Sequence, residues 1–237
     1  MEGGSHMYEG TSEPGKGEAA ERAAEAEKDA AAEGATGGSP AGPASYEGFH
    51  ELVRASRTYR RFSGEQVGEE ILRELVDAAR LAPSGNNLQV LRLAVTNDPE
   101  TVALLARHHG WAGALKDFEG PAEGELPGAY MGILCPEASA ASPLRNVDAG
   151  IMAQTLCLAA CAKGLGTCMI KSYDKEAAGI LGVPDGYQLV LLVALGRPAA
   201  DERVVLEPAT TEHGLRYWRT APNVHHVPKL GVDDLLV

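Results

Sequence analysis

Residues 146–173, "NVDAGIMAQTLCLAACAKGLGTCMIKSY", decide how this chain folds. From Ile151 to Ala162 the run is apolar nearly all round, which predicts a long helix. A helix without a polar face must be covered on several sides, by the core of its own chain alone or by that core together with a partner subunit. Gly164 stands where a helix C-cap glycine belongs, and Lys163 where a cation suits the last turn. "TCMIKSY" then reads as a strand, so the segment is one helix, one glycine turn and one strand.

Outward from it, "AYMGILC" (129–135) and "YQLVLLVALGRP" (187–198) read as buried strands, the second a central one. "KEAAGILG" (175–182) is a short helix. Upstream, "GEEILRELVDAARLA" (68–82) places Ile71, Leu72, Leu75, Val76 and Ala79 on one helical face. Tyr46 to Ser56 carries a weaker stripe of Phe49, Leu52 and Val53. "VLRLAVTN" (90–97) is a strand, followed by a helix with Asp98 as N-cap and Pro99 at its first position. Gly110 to Pro127 is too long for an ordinary connection and reads as a functional loop or lid. Leu215 to Val237 has little periodicity and reads as an arm that packs on something else. Two helices precede the first strand and no regular alternation follows. The predicted class is therefore α+β rather than a doubly wound parallel sheet.

Residues 1–45 are poor in large apolar side chains and rich in Gly, Ala, Glu, Ser and Pro, which predicts a disordered tail ahead of a single domain over 46–237. Within it, "GGSHM" (3–7) reads as a vector-derived scar. The tail holds nine acidic and three basic residues, half of the chain's net charge of −12. The rest is only mildly acidic, which argues against a nucleic-acid partner. No apolar run reaches membrane-spanning length, and a soluble, cytoplasmic protein is expected. Cys135, Cys157, Cys161 and Cys168 lie in apolar surroundings and read as buried thiols. Without a cluster of further ligands at suitable spacing, neither they nor His108, His109, His225 and His226 make a metal site.

Three stretches carry polar groups in excess of structural need. "SRTYRRF" (56–62) sets Arg57, Arg60 and Arg61 around the Thr58 hydroxyl. Guanidinium groups suit a phosphate or an electron-rich ring edge, although a basic patch at a helix end is favourable in itself. "APSGNNLQ" (82–89) combines Pro83, Ser84 and Gly85 with Asn87 and Gln89, whose amides can read hydroxyls and the carbonyl and imide edge of a heteroaromatic ring. Turn chemistry alone accounts for most of these residues, but not for Gln89 at the mouth of an apolar strand. "KGLGTC" (163–168) is a glycine-flanked backbone that admits a flat ligand, and it lacks the strand-before-helix order of a dinucleotide fingerprint.

In this order the three stretches resemble the FMN-dependent nitroreductase family over about Tyr46 to Val237. "RTYRRF" is similar to the family's Arg-Ser-x-Arg element, with Thr58 in place of Ser. "PSGNNLQ" matches Pro-Ser-x-x-Asn-x-Gln at each specified position, and then departs from the frequent Pro-aromatic with Val90 and Leu91. The 111–130 and 216–229 stretches resemble a small subgroup of that family.

The resemblance implies a homodimer of α+β subunits, each with a mixed, mainly antiparallel sheet flanked by helices and a C-terminal arm embracing the partner, and FMN at the dimer interface. It places Arg57 and Thr58 at the phosphate and ribityl end and Arg60 at the N1/C2-carbonyl edge. Pro83, Ser84, Gly85 and Asn87 reach the flavin from the other subunit, Gln89 of the same motif is a further cofactor-binding residue, and Leu165 and Gly166 offer N–H groups near N5 and O4. Lys229 or Arg197 meets the phosphate. The implied activity is ping-pong transfer of hydride from NAD(P)H through flavin N5 to a nitroaromatic, quinone or similar acceptor, with no side-chain acid. A narrow-substrate dehalogenase or dehydrogenase, and a flavin sensor or storage protein, are the alternatives. Trp111 reads equally as a ring cover and as a core anchor.

Overall fold

The structure is a computed structural model, which describes residues 45–115, 118–210, 214–221 and 223–237. The expected tail, but for Ser45, lies outside the described residues. The chain opens with α1 (Tyr46–Ala55) and α2 (Glu69–Arg80), then β1 (Arg92–Thr96), α3 (Pro99–Leu105) and β2 (Ala129–Pro136). There follow α4 (Glu137–Ala140), α5 (Pro143–Ala162), β3 (Gly166–Ile170), α6 (Glu176–Ile180) and β4 (Tyr187–Gly196). The last strands are β5 (Arg203–Pro208), β6 (Trp218–Ala221) and β7 (Val224–Lys229).

The main sheet has the order β1-β2-β4-β3 and is antiparallel throughout. Its centre is the pair of continuous apolar strands: Met131 faces Val193 and Gly132 faces Leu192, all in register. Met131, Ile133, Leu192, Val193 and Leu195 are fully buried, each side chain contributing about 1.5–3 kcal/mol of burial. The predicted amphipathic face of α2 is borne out: Leu72, Leu75 and Ala79 are buried and Ile71 and Val76 pack beside them. Asp98 caps α3 as expected, accepting the Thr101 N–H at 2.9 Å.

Helix α5 is organised in stripes. At about 100° per residue, Ala149, Ala153, Leu156 and Ala160 form one line, and all four are buried. Opposite them lie Leu144, Val147, Ile151 and Leu158, of which Leu144 and Val147 are 40% and 55% exposed. Helix α1 buries none of its residues, and Phe49 is half exposed. Both helices thus offer apolar surface beyond what the described chain covers.

The C-terminal stretch, read from the sequence as an arm of little periodicity, contains regular strands. Strand β5, which the sequence did not suggest, pairs parallel with β7, and β6 pairs antiparallel on β7's other edge. This small sheet is fixed from beneath by a buried carboxylate: Glu202 lies 3.1 Å from His225 Nε2 and 3.3 Å from Arg61 Nη1. The eight residues beyond it are different in kind, with Val232, Leu235 and Leu236 largely exposed.

Among the described residues no helix is long and apolar enough to cross a membrane.

Candidate functional site

The residues of "RTYRRF" leave α1 in an extended path beside β3. Tyr59 N–H donates to Thr167 O at 2.9 Å, and Thr58 bridges Thr167 as a further parallel partner. Gly166 is glycine for this reason, since a Cβ there would fall 2.7 Å from the Tyr59 ring. The extended path brings Arg57, Thr58 and Arg60 to one wall of a cavity of about 380 Å³, within the size range of cofactor pockets, about 300–1,000 Å³. Gln154 and Cys157 of α5, Thr167 and Met169 of β3, and Tyr217, Val227 and Lys229 from the C-terminal region complete it.

Three cations and no carboxylate line this space among the described residues. Arg57 donates through Nη2 to Val53 O at 2.6 Å, while its buried Nε has no hydrogen-bond partner among the described residues. Burial lowers the Arg57 pKa, and a guanidinium nevertheless stays charged. A buried donor without an acceptor is costly, and an anionic ligand would satisfy it. Arg60 is more tightly held. Its Nε donates to Trp111 O at 2.8 Å, and its guanidinium carbon lies 4.9 Å from the centre of the Tyr217 ring. Tyr217 in turn accepts the Ala114 N–H at 3.3 Å. The indole of Trp111 itself is buried against Phe62 and His109, so this residue is a core anchor. Cys157, the thiol in the wall, is buried, which pushes its pKa up and keeps it protonated.

"APSGNNLQ" lies elsewhere. Pro83, Ser84 and Gln89 line a second, smaller cleft with Arg92, Asp148 and Met152. The loop is a short turn in which Asn87 N–H donates to Ser84 O and Gln89 N–H to Ser84 Oγ. Asn86, Asn87 and Gln89 all have positive φ, of 54°, 53° and 47°. Asparagine tolerates this region and glutamine does so less readily; such residues cost about 1–3 kcal/mol each and cluster at functional sites. The Asn87 and Gln89 side chains bond one another at 3.1 Å on an exposed surface.

The site residues expected from the sequence therefore fall into three sets. Arg57, Thr58, Arg60 and Lys229 share the cationic cavity. Pro83, Ser84, Gly85, Asn87 and Gln89 share the strained loop. The core stripe of α5 separates the two within one chain, with Asp148 and Met152 on one flank and Gln154 and Cys157 on the other. The remaining three join neither set. Arg197 lies 3.5 Å from Glu65 and is largely exposed. The Leu165 N–H donates to Ala160 O at 2.9 Å, closing the end of α5, where Gly164 has the expected positive φ. Gly166 pairs with Gly196 at the start of β3.

Sequence reasoning missed Gln154, Thr167, Met169 and Tyr217. Thr167 and Met169 follow from the two-residue period of β3 once one of them is known to face a cavity. Gln154 was hidden inside an apolar helix, and nothing local marks Tyr217.

Residues 53–197 match the nitroreductase family, and the chain belongs to that family. It is 28% identical over 195 residues to the NADPH-flavin oxidoreductase of Vibrio harveyi, across 78% of this chain and 77% of that protein. It is 29% identical over 192 residues to the NADH dehydrogenase of Thermus thermophilus, across 63% of this chain and 91% of that one. A nitroreductase family protein from Clostridium novyi has the same fold, with a TM-score of 0.54 and 21% identity over 64% of this chain and 86% of its own. A nitroreductase-type protein from Desulfovibrio desulfuricans in complex with FMN matches with a TM-score of 0.51 and 25% identity, over 63% and 86% of the two chains.

Proposed function

We propose that the chain is an FMN-dependent oxidoreductase that takes hydride from NADH or NADPH and reduces a small acceptor such as a nitroaromatic or a quinone. The observation that carries this reading is the cationic cavity, where Arg57, Arg60 and Lys229 face a space without a carboxylate and the Arg57 Nε lacks an acceptor. Such a wall fits a phosphate at one end and an electron-rich ring edge at the other. Relatives described as an NADPH-flavin oxidoreductase and an NADH dehydrogenase support a nicotinamide donor without choosing between the two.

The flavin, when bound, supplies the hydride chemistry of both half-reactions. The chain's own task is binding, orientation and electrostatics. Arg57 and Lys229 would hold the phosphate, with Thr58 beside it. Arg60, locked between the Trp111 carbonyl and the Tyr217 ring, would present a cation that need not reorganise as negative charge develops near it. Tyr217 would also keep water from that edge. No side-chain acid is required, and none lines the cavity among the described residues.

The functional unit in this reading is a homodimer. The loop of Pro83, Ser84, Gly85 and Asn87 lies across α5 from the cavity of its own chain, so a second subunit would deliver it. The line of exposed Leu144 and Val147 and half-buried Ile151 on α5, together with α1, is the apolar surface such a partner would cover.

The test is an absorbance spectrum of the purified protein reconstituted with FMN, followed anaerobically by NADH and then NADPH. Flavin bands that bleach with either donor support the reading. Bands that persist with both replace it with a flavin-binding protein without nicotinamide turnover, and the absence of bound flavin removes it.

A further inference from the structure

We propose that Asp148, with Arg145 behind it, is a positioning residue that holds the strained loop Pro83–Gln89 in the shape that meets the flavin. The proposal rests on the reading of this loop as flavin-facing.

Asp148 is 2% exposed and lies on α5, one turn and a half into the helix. Its Oδ1 accepts the Gly85 N–H at 2.9 Å, and its Oδ2 lies 2.8 Å from Arg145 Nη1 on the preceding turn. Arg145 is itself buried, at 5% exposure. Burying two charges for packing alone is unfavourable, because apolar residues of similar size commonly do as well. What the carboxylate gains here that an apolar side chain could not is a grip on the backbone of the loop.

The grip falls where the loop presses hardest on the helix. A Cβ on Gly85 would come 2.3 Å from Leu144 Cδ2, so the backbone lies directly on the first turn of α5. Immediately after Gly85 the chain enters the positive-φ residues Asn86 and Asn87, and then Gln89. The loop's other described hydrogen bonds are short in sequence span, from Asn87 to Ser84, Leu88 to Gly85, Gln89 to Ser84, the Gln89 side chain to the Asn87 side chain, and Arg92 to Gln89 O. Apart from the Arg92 bond at the loop's own exit into β1, the bond from Gly85 to Asp148 is the one described hydrogen bond that joins the loop to the body of the protein. Helix α5 thus serves both half-sites. Its Gln154 and Cys157 line the cationic cavity, and its Asp148 sets the loop on the opposite flank.

The experiment compares two double variants of the full chain, because Asp148→Ala alone would leave Arg145 buried and unpaired. Arg145→Met/Asp148→Asn removes both charges and keeps an acceptor for the Gly85 N–H; Arg145→Met/Asp148→Ala removes the acceptor as well. Amide hydrogen exchange is followed without FMN, and FMN affinity by fluorescence titration, with the visible circular dichroism of the bound flavin as a third readout. Exchange at Gly85 to Gln89 is expected to be at least tenfold faster in the Ala double variant than in the Asn one. The FMN dissociation constant should rise about tenfold between the same two, with an altered flavin circular dichroism.

Equal exchange at Gly85 in the two variants would overturn the anchor itself. Faster exchange with unchanged FMN affinity and circular dichroism would overturn its role toward the flavin and leave a structural bond. A native chain that binds no FMN defeats the flavin reading and the positioning role together, while the exchange comparison still judges the anchor.

Discussion

Arg61 and Glu125 form a two-pronged ion pair, with Nε 2.9 Å from Oε2 and Nη2 2.5 Å from Oε1, that ties the "RTYRRF" segment to the far end of the 110–127 loop. The same guanidinium lies 3.3 Å from the fully buried Glu202 carboxylate under the small C-terminal sheet. One side chain therefore fastens three segments around the cavity. Arg61→Ala should cost about 3 kcal/mol, the lower end for breaking a buried pair, because it leaves Glu202 without its full set of cations. Chemical denaturation checks this; a loss below about 0.5 kcal/mol, as at exposed pairs, would mean that the pairs around Arg61 are solvent-screened.

The pair also fixes a pH dependence. The hydrogen bonds from Arg61 hold the Glu125 carboxyl below the usual carboxylate range. A depressed carboxylate contributes stability that is present above its unfolded value, about 4.3, and is lost as pH falls through the folded value. Glu125→Gln should therefore be less stable than the native chain by about 1 kcal/mol at pH 7, and the difference should shrink below about pH 4. Denaturation curves at pH 7 and pH 3.5 measure it. A difference that stays constant or grows on acidification would contradict the pairing.

Arg57 is the residue whose removal should affect the ligand more than the fold. Within the chain it makes one described side-chain hydrogen bond, to Val53 O. A hydrogen bond to a charged group contributes about 1.5–3 kcal/mol, so Arg57→Ala should weaken FMN binding about tenfold or more. The remaining affinity should depend less on salt, since one of the cations that screening weakens is gone. Fluorescence titrations at two ionic strengths read both effects. Unchanged affinity would place the phosphate elsewhere in the cavity.

Arg60 and Tyr217 should behave as a unit. A cation over an aromatic face contributes about 0.5–2 kcal/mol, and Tyr217→Phe keeps that face while losing only the oxygen that accepts from Ala114. The Phe variant should retain FMN affinity and nicotinamide-driven reduction rate within about twofold. Tyr217→Leu should lower both, towards the values of Arg60→Ala, by a factor of up to about thirty. Anaerobic stopped-flow reduction compares the three, and an Arg60→Ala chain that is reduced at the native rate would remove the electrostatic role assigned to Arg60.

The sequence made the main architecture legible because its signals are local. The periodicity of Leu72, Leu75 and Ala79, the N-cap Asp98 with Pro99, and the C-cap Gly164 each depend on a few neighbouring residues. The small sheet was not legible for the opposite reason. Strand β5 pairs parallel with β7, about twenty residues on, and β7 itself holds Pro228 and two histidines. What fixes it is the buried Glu202 with His225, a contact that no short pattern announces. At the site, motif order picked out the residues of the cationic cavity and of the strained loop, while Leu165 and Gly166 also have structural roles that the motif did not announce. The Leu165 N–H already closes α5, and Gly166 is explained by the Tyr59 ring.

The separation of the cationic cavity from the strained loop by α5 leads to a prediction about assembly. Val147 is 55% exposed, and Ile151 shares its outward line, opposite the buried Ala149, Ala153 and Leu156. Replacing both by Asp should leave the fold of a single chain intact, since neither side chain belongs to the core. In the assembled protein the same change would set charges on what the proposal makes the subunit interface. Sedimentation should then give a dimer for the native chain and a monomer for Val147→Asp/Ile151→Asp, with native far-ultraviolet circular dichroism. The decisive readout is FMN binding by that monomer, which keeps Arg57, Arg60 and Lys229 but lacks the partner's loop. Affinity should fall more than tenfold, so that oligomeric state and flavin content are lost together. A monomer that binds FMN with native affinity would show that one chain completes the site alone, against the geometry in which the core stripe of α5 stands between its cavity and its loop.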